Sequence, residues 1–202
     1  MSRLFRDLGL DIFRHKVVDE DSIASSITVS LLSFIKQERQ GEQISRSTLS
    51  SILSLLSALS PTCSSTLFVT PFLAASTEFY KAEAERLINK ESSSYLTPSA
   101  YLKHVVRRLE EEGERGEVAL ALSGFGRDLK SSLLRVVETE MVVQHTADIL
   151  LGLKGFADDF NANFAAVESD LSRLYSLFSR VGQSSLLNAA WQNYVEVSCS
   201  SM

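Results

Sequence analysis

The chain has little of what metal, redox and extracellular proteins are built from. Among its 202 residues are two cysteines, three histidines, three prolines, nine glycines and one tryptophan. Cys63 and Cys199 lie far apart with no Cys-x-x-Cys spacing, which excludes a disulfide framework and predicts two reduced thiols in the cytoplasm or nucleus. So few histidines and cysteines leave scant material for a metal centre. Sparse proline and glycine disfavour a turn-rich β-sandwich and any long flexible linker. No apolar core of about 7–15 residues follows a basic N-terminus, so no signal peptide is expected. No run approaches the roughly 18 apolar residues of a membrane span. These absences predict a soluble, intracellular chain without a membrane partner. Basic excess is lacking too. With a net charge of −5 and a pI near 5.3, the chain is not expected to bind nucleic acid, which demands clustered Lys and Arg. Near the start, Arg3, Arg6, Arg14 and Lys16 alternate with Asp7 and Asp11, the pattern of a solvated helix face.

What is present is helical periodicity over a composition that is 45% hydrophobic, enough to build a sizeable core. Leu4, Phe5, Leu8, Ile12 and Phe13 predict a first helix reaching about Val18. A second, capped by Asp21 or Ser22, carries Ile23, Ile27, Leu31, Phe34 and Ile35 and ends at Gly41, placed for a left-handed cap. A third carries Leu49, Ile52, Leu53, Leu56 and Leu59 opposite a serine face, and Pro61 stops it. Residues 61–69 read as a loop. Thr70-Pro71 and Thr97-Pro98 each signal a cap followed by proline in a first turn, opening the fourth and fifth helices. A sixth is expected from about Asp128 to Leu151. Residues 152–164 read as a break with a short helix, and two further amphipathic segments follow, the last starting at Ser184 or Ser185. No hairpin signal occurs, so the fold class is all-α without a sheet.

The fifth helix raises the sharpest question about function. Residues 101–115, YLKHVVRRLEEEGER, set His104 ahead of Glu110, Glu111, Glu112 and Glu114. Leu102, Val105, Val106 and Leu109 form a buried stripe. Lys103, Arg107, Arg108, Glu111, Glu112 and Arg115 are expected on the wet circumference, with Arg107–Glu111, Arg108–Glu112 and Glu111–Arg115 as four-residue pairs. His104 has no histidine or cysteine three or four residues away, and two arginines beside it would repel a cation. The stretch reads as a surface rather than a site.

Other candidates carry no more chemistry. Residues 123–129, SGFGRDL, have two glycines but neither a third nor a preceding strand, so no dinucleotide fingerprint is present. Nucleotide-loop, zincin and nucleophile-elbow motifs are lacking. His145 and Asp148 share a helical face as a local surface pair. Glu138, Glu140 and His145 lack the Glu-x-x-His spacing of a di-metal site. Cys63 has no basic neighbour to activate it. Leu171, Leu174, Tyr175 and Phe178, and also Trp191, read as core. No catalytic, metal-ligating or cofactor-binding residue is expected, nor any cofactor.

Four ordered segments do carry a resemblance. Residues 30–56, with IKQERQGE before a leucine-rich helix, residues 72–88, FLAASTEFYKAEAERLI, residues 101–115, and residues 171–181, LSRLYSLFSRV, are similar to motifs of the cullins, most of all to the type-4 branch. The resemblance covers most of the chain. Cullins are scaffolds of RING ubiquitin ligases, and their N-terminal half is a rod of stacked cullin repeats, each a five-helix bundle. By this likeness residues 1–124 would be one whole repeat, resembling the second, and residues 125–202 an incomplete third. Neither the adaptor-binding repeat nor the RING-recruiting region is matched, so no residue inherits an adaptor, RING or modification role.

The likeness implies a non-catalytic stalk that holds a substrate adaptor and a RING module apart in ubiquitin-dependent protein catabolism, its partners being proteins of that complex. Alternatives are a free-standing helical tethering module and a non-functional truncated fragment. Two departures from the family stand out. Gly113 and Gly116 predict an early break in the fifth helix, since an interior glycine costs about 1 kcal/mol relative to alanine. The final residues 197–202, VSCSSM, depart as a truncation or a changed reading frame would. An unfinished repeat would leave apolar surface near Phe178 and Leu186 and promote self-association.

Overall fold

A computed structural model describes residues 2–18, 20–116, 126–152 and 164–200, and no strand occurs among them. The helices are α1 (Ser2–Phe13), α2 (Asp21–Arg39), α3 (Arg46–Leu59), α4 (Pro61–Ser64), α5 (Thr70–Ile88), α6 (Pro98–Arg115), α7 (Gly126–Glu138), α8 (Thr146–Leu151), α9 (Phe164–Arg180) and α10 (Ser184–Ser200). Single π turns cover Arg14–Val18, Ser65–Val69 and Thr139–Val143.

Several boundaries follow local chemistry. Gly41, at φ 90°, closes α2: its N–H donates to the Glu38 carbonyl at 3.0 Å, and the Glu42 N–H reaches the Gln37 carbonyl at 3.0 Å. Gly182, at φ 72°, closes α9 in the same way, with the Gln183 N–H on the Phe178 carbonyl at 2.8 Å. Ser45 caps α3 by accepting the Thr48 N–H at 3.3 Å. The start of α2 differs from expectation. Its cap is Glu20, which makes no side-chain cap bond, and Asp21 instead lies in the first turn, where the helix dipole favours an anion.

The expected loop at 61–69 is helical. Ser60 accepts the Cys63 N–H at 2.9 Å and Pro61 occupies the first turn of α4, so the residue that stops α3 also starts its successor. A π turn then leads directly into α5, with the Thr70 N–H on the Ser65 carbonyl. Thr70 is therefore helical backbone rather than a cap. Pro71 has no N–H to offer the Leu67 carbonyl four residues back, and the Thr28 hydroxyl donates to that carbonyl at 2.8 Å. Fully buried Phe68, in this segment, stacks on Phe72 with centroids 5.1 Å apart, and such a pair contributes about 1 kcal/mol beyond its area.

Gly113 does not break α6, and the course of the chain beyond Gly116 lies outside the described residues. The helix runs through Gly113 to Arg115, and a Cβ at Gly113 would meet nothing within 4 Å. The single helix expected from Asp128 to Leu151 is interrupted by the π turn at Thr139–Val143. There the Tyr101 hydroxyl donates to the Met141 carbonyl at 2.7 Å and the Thr146 hydroxyl lies 2.9 Å from the Val143 carbonyl. Side-chain donors thus serve carbonyls around the widened turn. The short helix expected within 152–164 falls mainly outside the described residues, as do residues 117–125.

By contact the chain forms two compact units, one of Met1–Ser76 with Glu112–Leu133 and one of Thr77–Glu111 with Leu134–Met202. The first encloses Leu31, Ile35, Leu49, Leu53, Leu56, Phe68, Phe72 and Leu133. The second encloses Tyr80, Tyr101, Leu102, Val105, Met141, Leu174 and Phe178. Each fully buried leucine or phenylalanine contributes about 1.5–3 kcal/mol. Two core expectations need correction. Tyr175 is 56% exposed, one position off the stripe that buries Leu174, Leu177 and Phe178. Phe178 is wholly buried, so no uncovered apolar end exists at that residue, although Leu186 is 49% exposed.

Candidate functional site

α6 is not simply a wet face. Glu112 is completely buried, and Arg108 and Arg115 are 9% and 7% exposed. The reason is geometric. Tyr101, Val105, Arg108, Glu112 and Arg115 recur at alternating spacings of four and three, one continuous line along the helix. The apolar stripe therefore continues into charged residues rather than ending. α2 and α5 do the same: Leu31 and Ile35 lead to Arg39, and Phe72, Ser76, Tyr80, Glu83 and Leu87 lie in one row, all of them buried. Lys103, Glu110 and Glu114 do face solvent.

Two ionic clusters result, one in each unit. In the first, Glu112 accepts from Arg39 Nε at 2.9 Å and from Arg115 Nη1. Arg39 Nη2 donates to Ser76 Oγ at 2.8 Å, whose hydroxyl donates to the Phe72 carbonyl at 2.7 Å, and the Arg39 guanidinium lies 5.5 Å from the centre of the Phe72 ring. Arg115 Nε donates to Glu38 at 2.6 Å, and Arg46 Nε reaches the other Glu38 oxygen at 2.6 Å. Burial pushes the Glu38 carboxyl up, but the bonds from Arg115 and Arg46 outweigh it and hold it below the ordinary carboxylate value. Burial likewise disfavours the Arg115 cation, and Glu112 and Glu38 more than compensate.

In the second cluster Arg108 grips Glu83 with two bonds, Nε at 3.0 Å and Nη2 at 2.6 Å, and donates from Nη1 to Glu111 at 2.8 Å. His104 Nε2 lies 3.5 Å from Glu83, while its Nδ1 is 3.0 Å from Arg107 Nη2. An arginine can only donate, so Nδ1 accepts and the ring proton sits on Nε2, toward Glu83. Burial raises the Glu83 carboxyl, yet His104 and Arg108 bring it down to about 2. A carboxylate held there is a weak proton acceptor near neutral pH, so this cluster is poorly suited to general-base work. Its geometry locks α5 to α6 instead.

The other expected positions are placed as follows. Of the three predicted pairs on α6, Arg107–Glu111 forms at 3.6 Å, whereas Arg108 turns to Glu83 and Glu111, and Arg115 to Glu38 and Glu112. His145 and Asp148 form a local pair at 3.6 Å. Cys63 is a free thiol of intermediate burial. Trp191 packs partly buried against the second core. Among the described residues no three His, Cys, Asp or Glu side chains are grouped to hold a metal ion, and no helix is long and apolar enough to cross a membrane. The SGFG stretch lies largely outside the described residues.

Among the described residues these elements define an all-helical protein whose buried charges fasten helices to one another. The model of the cullin alpha solenoid domain matches residues 2–202, and the chain belongs to the cullin family. It is 33% identical over 193 residues to human Cullin-4A, covering 94% of this chain and 23% of that protein. To Cullin-4 of Dictyostelium discoideum it is 30% identical over 190 residues, covering 94% of this chain and 21% of the relative. Cullin-3A of Arabidopsis thaliana is 32% identical over 175 residues, 86% of this chain and 22% of the relative. The Cullin-4A and Cullin-4 matches agree with the type-4 branch, and the chain spans under a quarter of the relatives' lengths.

Proposed function

We propose that this chain is a non-catalytic stalk segment of a cullin–RING ubiquitin ligase, holding a substrate adaptor and a RING module at a set separation in ubiquitin-dependent protein breakdown. The observation that carries this reading is the family match over residues 2–202. Support also comes from the two clusters, which fasten α6 to α2 and to α5 through bonds that lose geometry if either helix slides. Stacked helical units contact chiefly their neighbours, so stiffness within each sets the reach of the whole. Positioning two reactants converts an encounter into an effectively unimolecular step, which is how a scaffold contributes without chemistry of its own. On this reading residues 1–124 form a repeat of the second type and residues 125–202 part of the next. The working compartment is the cytoplasm or nucleus.

The test is to tag the gene product at its chromosomal locus, purify it and assay ubiquitin chain formation with activating and conjugating enzymes. Co-purification of a RING-domain subunit with ligase activity is expected. Purification without any RING subunit and without activity would overturn the reading and favour a tethering module or an inert product.

A further inference from the structure

We infer that the cavity beside the end of α8 is a self-complementary contact through which two copies of this chain pair about a two-fold axis. The cavity measures about 180 Å³ and belongs to the second unit. Its lining includes Ile88, Leu96, Pro98, Leu102 and Ile149, with Leu151 at the mouth. Small-molecule sites run to about 300–1,000 Å³, so this hollow suits one apolar side chain better than a cofactor or metabolite. Its wall is tight where Gly152 meets Pro98: a Cβ on Gly152 would stand 2.7 Å from the Pro98 Cβ.

The occupant is argued from what surrounds the hollow. Leu151 is 76% exposed, the largest such value among the exposed hydrophobic residues of the described chain. A knob thus stands beside a hole of side-chain size. Among the described residues the lining also holds a cation and an anion, Lys90 and Asp148, both exposed, with Asp148 3.6 Å from His145. A patch carrying knob beside hole and cation beside anion is complementary to itself under a two-fold rotation. Leu151 of one copy enters the hollow of the other, and Lys90 of each faces Asp148 of its partner. Opposite charges across a contact fix its register and suppress other partners. The contact relies on neither the expected Phe178 surface nor the ligase reading.

Sedimentation velocity of the 202-residue chain, from low to high micromolar, tests the proposal. The mass should rise from 22.3 kDa toward twice that value. Leu151→Asp removes the central apolar anchor and should weaken pairing about tenfold or more. Lys90→Glu and Asp148→Lys should each weaken it, and the two combined should restore the wild-type curve. All these side chains are exposed, so far-UV circular dichroism should show unchanged folding. A chain that stays monomeric throughout overturns the second copy as occupant. A dimer that survives Leu151→Asp places pairing elsewhere, for example at Leu186, and overturns this face. Failure of the double reversal to restore what the single reversals lose overturns the two-fold geometry.

Discussion

Glu112→Gln should destabilise the first unit far more than any surface charge on the same helix. The substitution keeps the shape of the side chain and removes its charge. Glu112 is 0% exposed and lies between Arg39 and Arg115, whose side chains are 4% and 7% exposed. Two guanidiniums then remain buried with one anion fewer. Arg115 keeps Glu38, while Arg39 keeps Ser76 and the Phe72 ring. Breaking a buried pair by neutralising one member costs about 3–5 kcal/mol, because the remaining charge is left poorly compensated. For a chain of this length each kcal/mol lowers Tm by about 2–4 °C, giving a drop of roughly 6–20 °C. The control is Glu114→Gln, whose side chain faces solvent on the same helix and which should cost under about 1 kcal/mol. Guanidinium titrations followed by far-UV circular dichroism would measure both. If Glu112→Gln lies within 1 kcal/mol of wild type, the cluster is not what fastens α2 to α6.

Glu83 titrates at about 2 against an ordinary 4.5, so its contribution is fully present above pH 4.5 and is lost as pH falls from there toward 2. Glu38 shifts in the same direction, so Glu83→Gln should flatten only part of the acid limb in stability measured across that window. Gly113→Ala fills open space within α6 and should stabilise the chain by about 1 kcal/mol in thermal unfolding. Tyr101→Phe leaves the buried Met141 carbonyl without its 2.7 Å donor and should cost about 1–3 kcal/mol. Rapid hydrogen exchange confined to the Thr139–Val143 turn in that variant would show where the loss acts.

Helix boundaries were readable wherever a single residue decides them. Gly41 and Ser184 carry their own signals, in a left-handed backbone and a helix start. Proline was ambiguous, since Pro61 ends one helix and opens the next, and Pro71 sits inside continuous helical backbone where Thr28 covers the carbonyl it cannot serve. No local rule places that hydroxyl, which comes from 39 residues away. The buried charges were misread because hydropathy assigns arginine and glutamate to solvent. The spacing held the clue: Arg108, Glu112 and Arg115 continue the line of Tyr101 and Val105. Which oppositely charged partner waits on α2 or α5 is a tertiary fact. The family likeness was legible because its four motifs come from these same helices, α2 with α3, α5, α6 and α9.

The buried cluster around Glu112 also restricts how this chain can diverge. Its buried members answer for one another's charge, so no single replacement among them should be neutral: losing Glu112 leaves two guanidiniums with one anion fewer, and losing Arg39 leaves Glu112 with Arg115 alone. A lineage can leave this arrangement only through several near-simultaneous changes, for instance to a wholly apolar layer of equal volume. One-step drift meets a barrier at every member. Over long times the set should behave as a single inherited character, kept together or exchanged together.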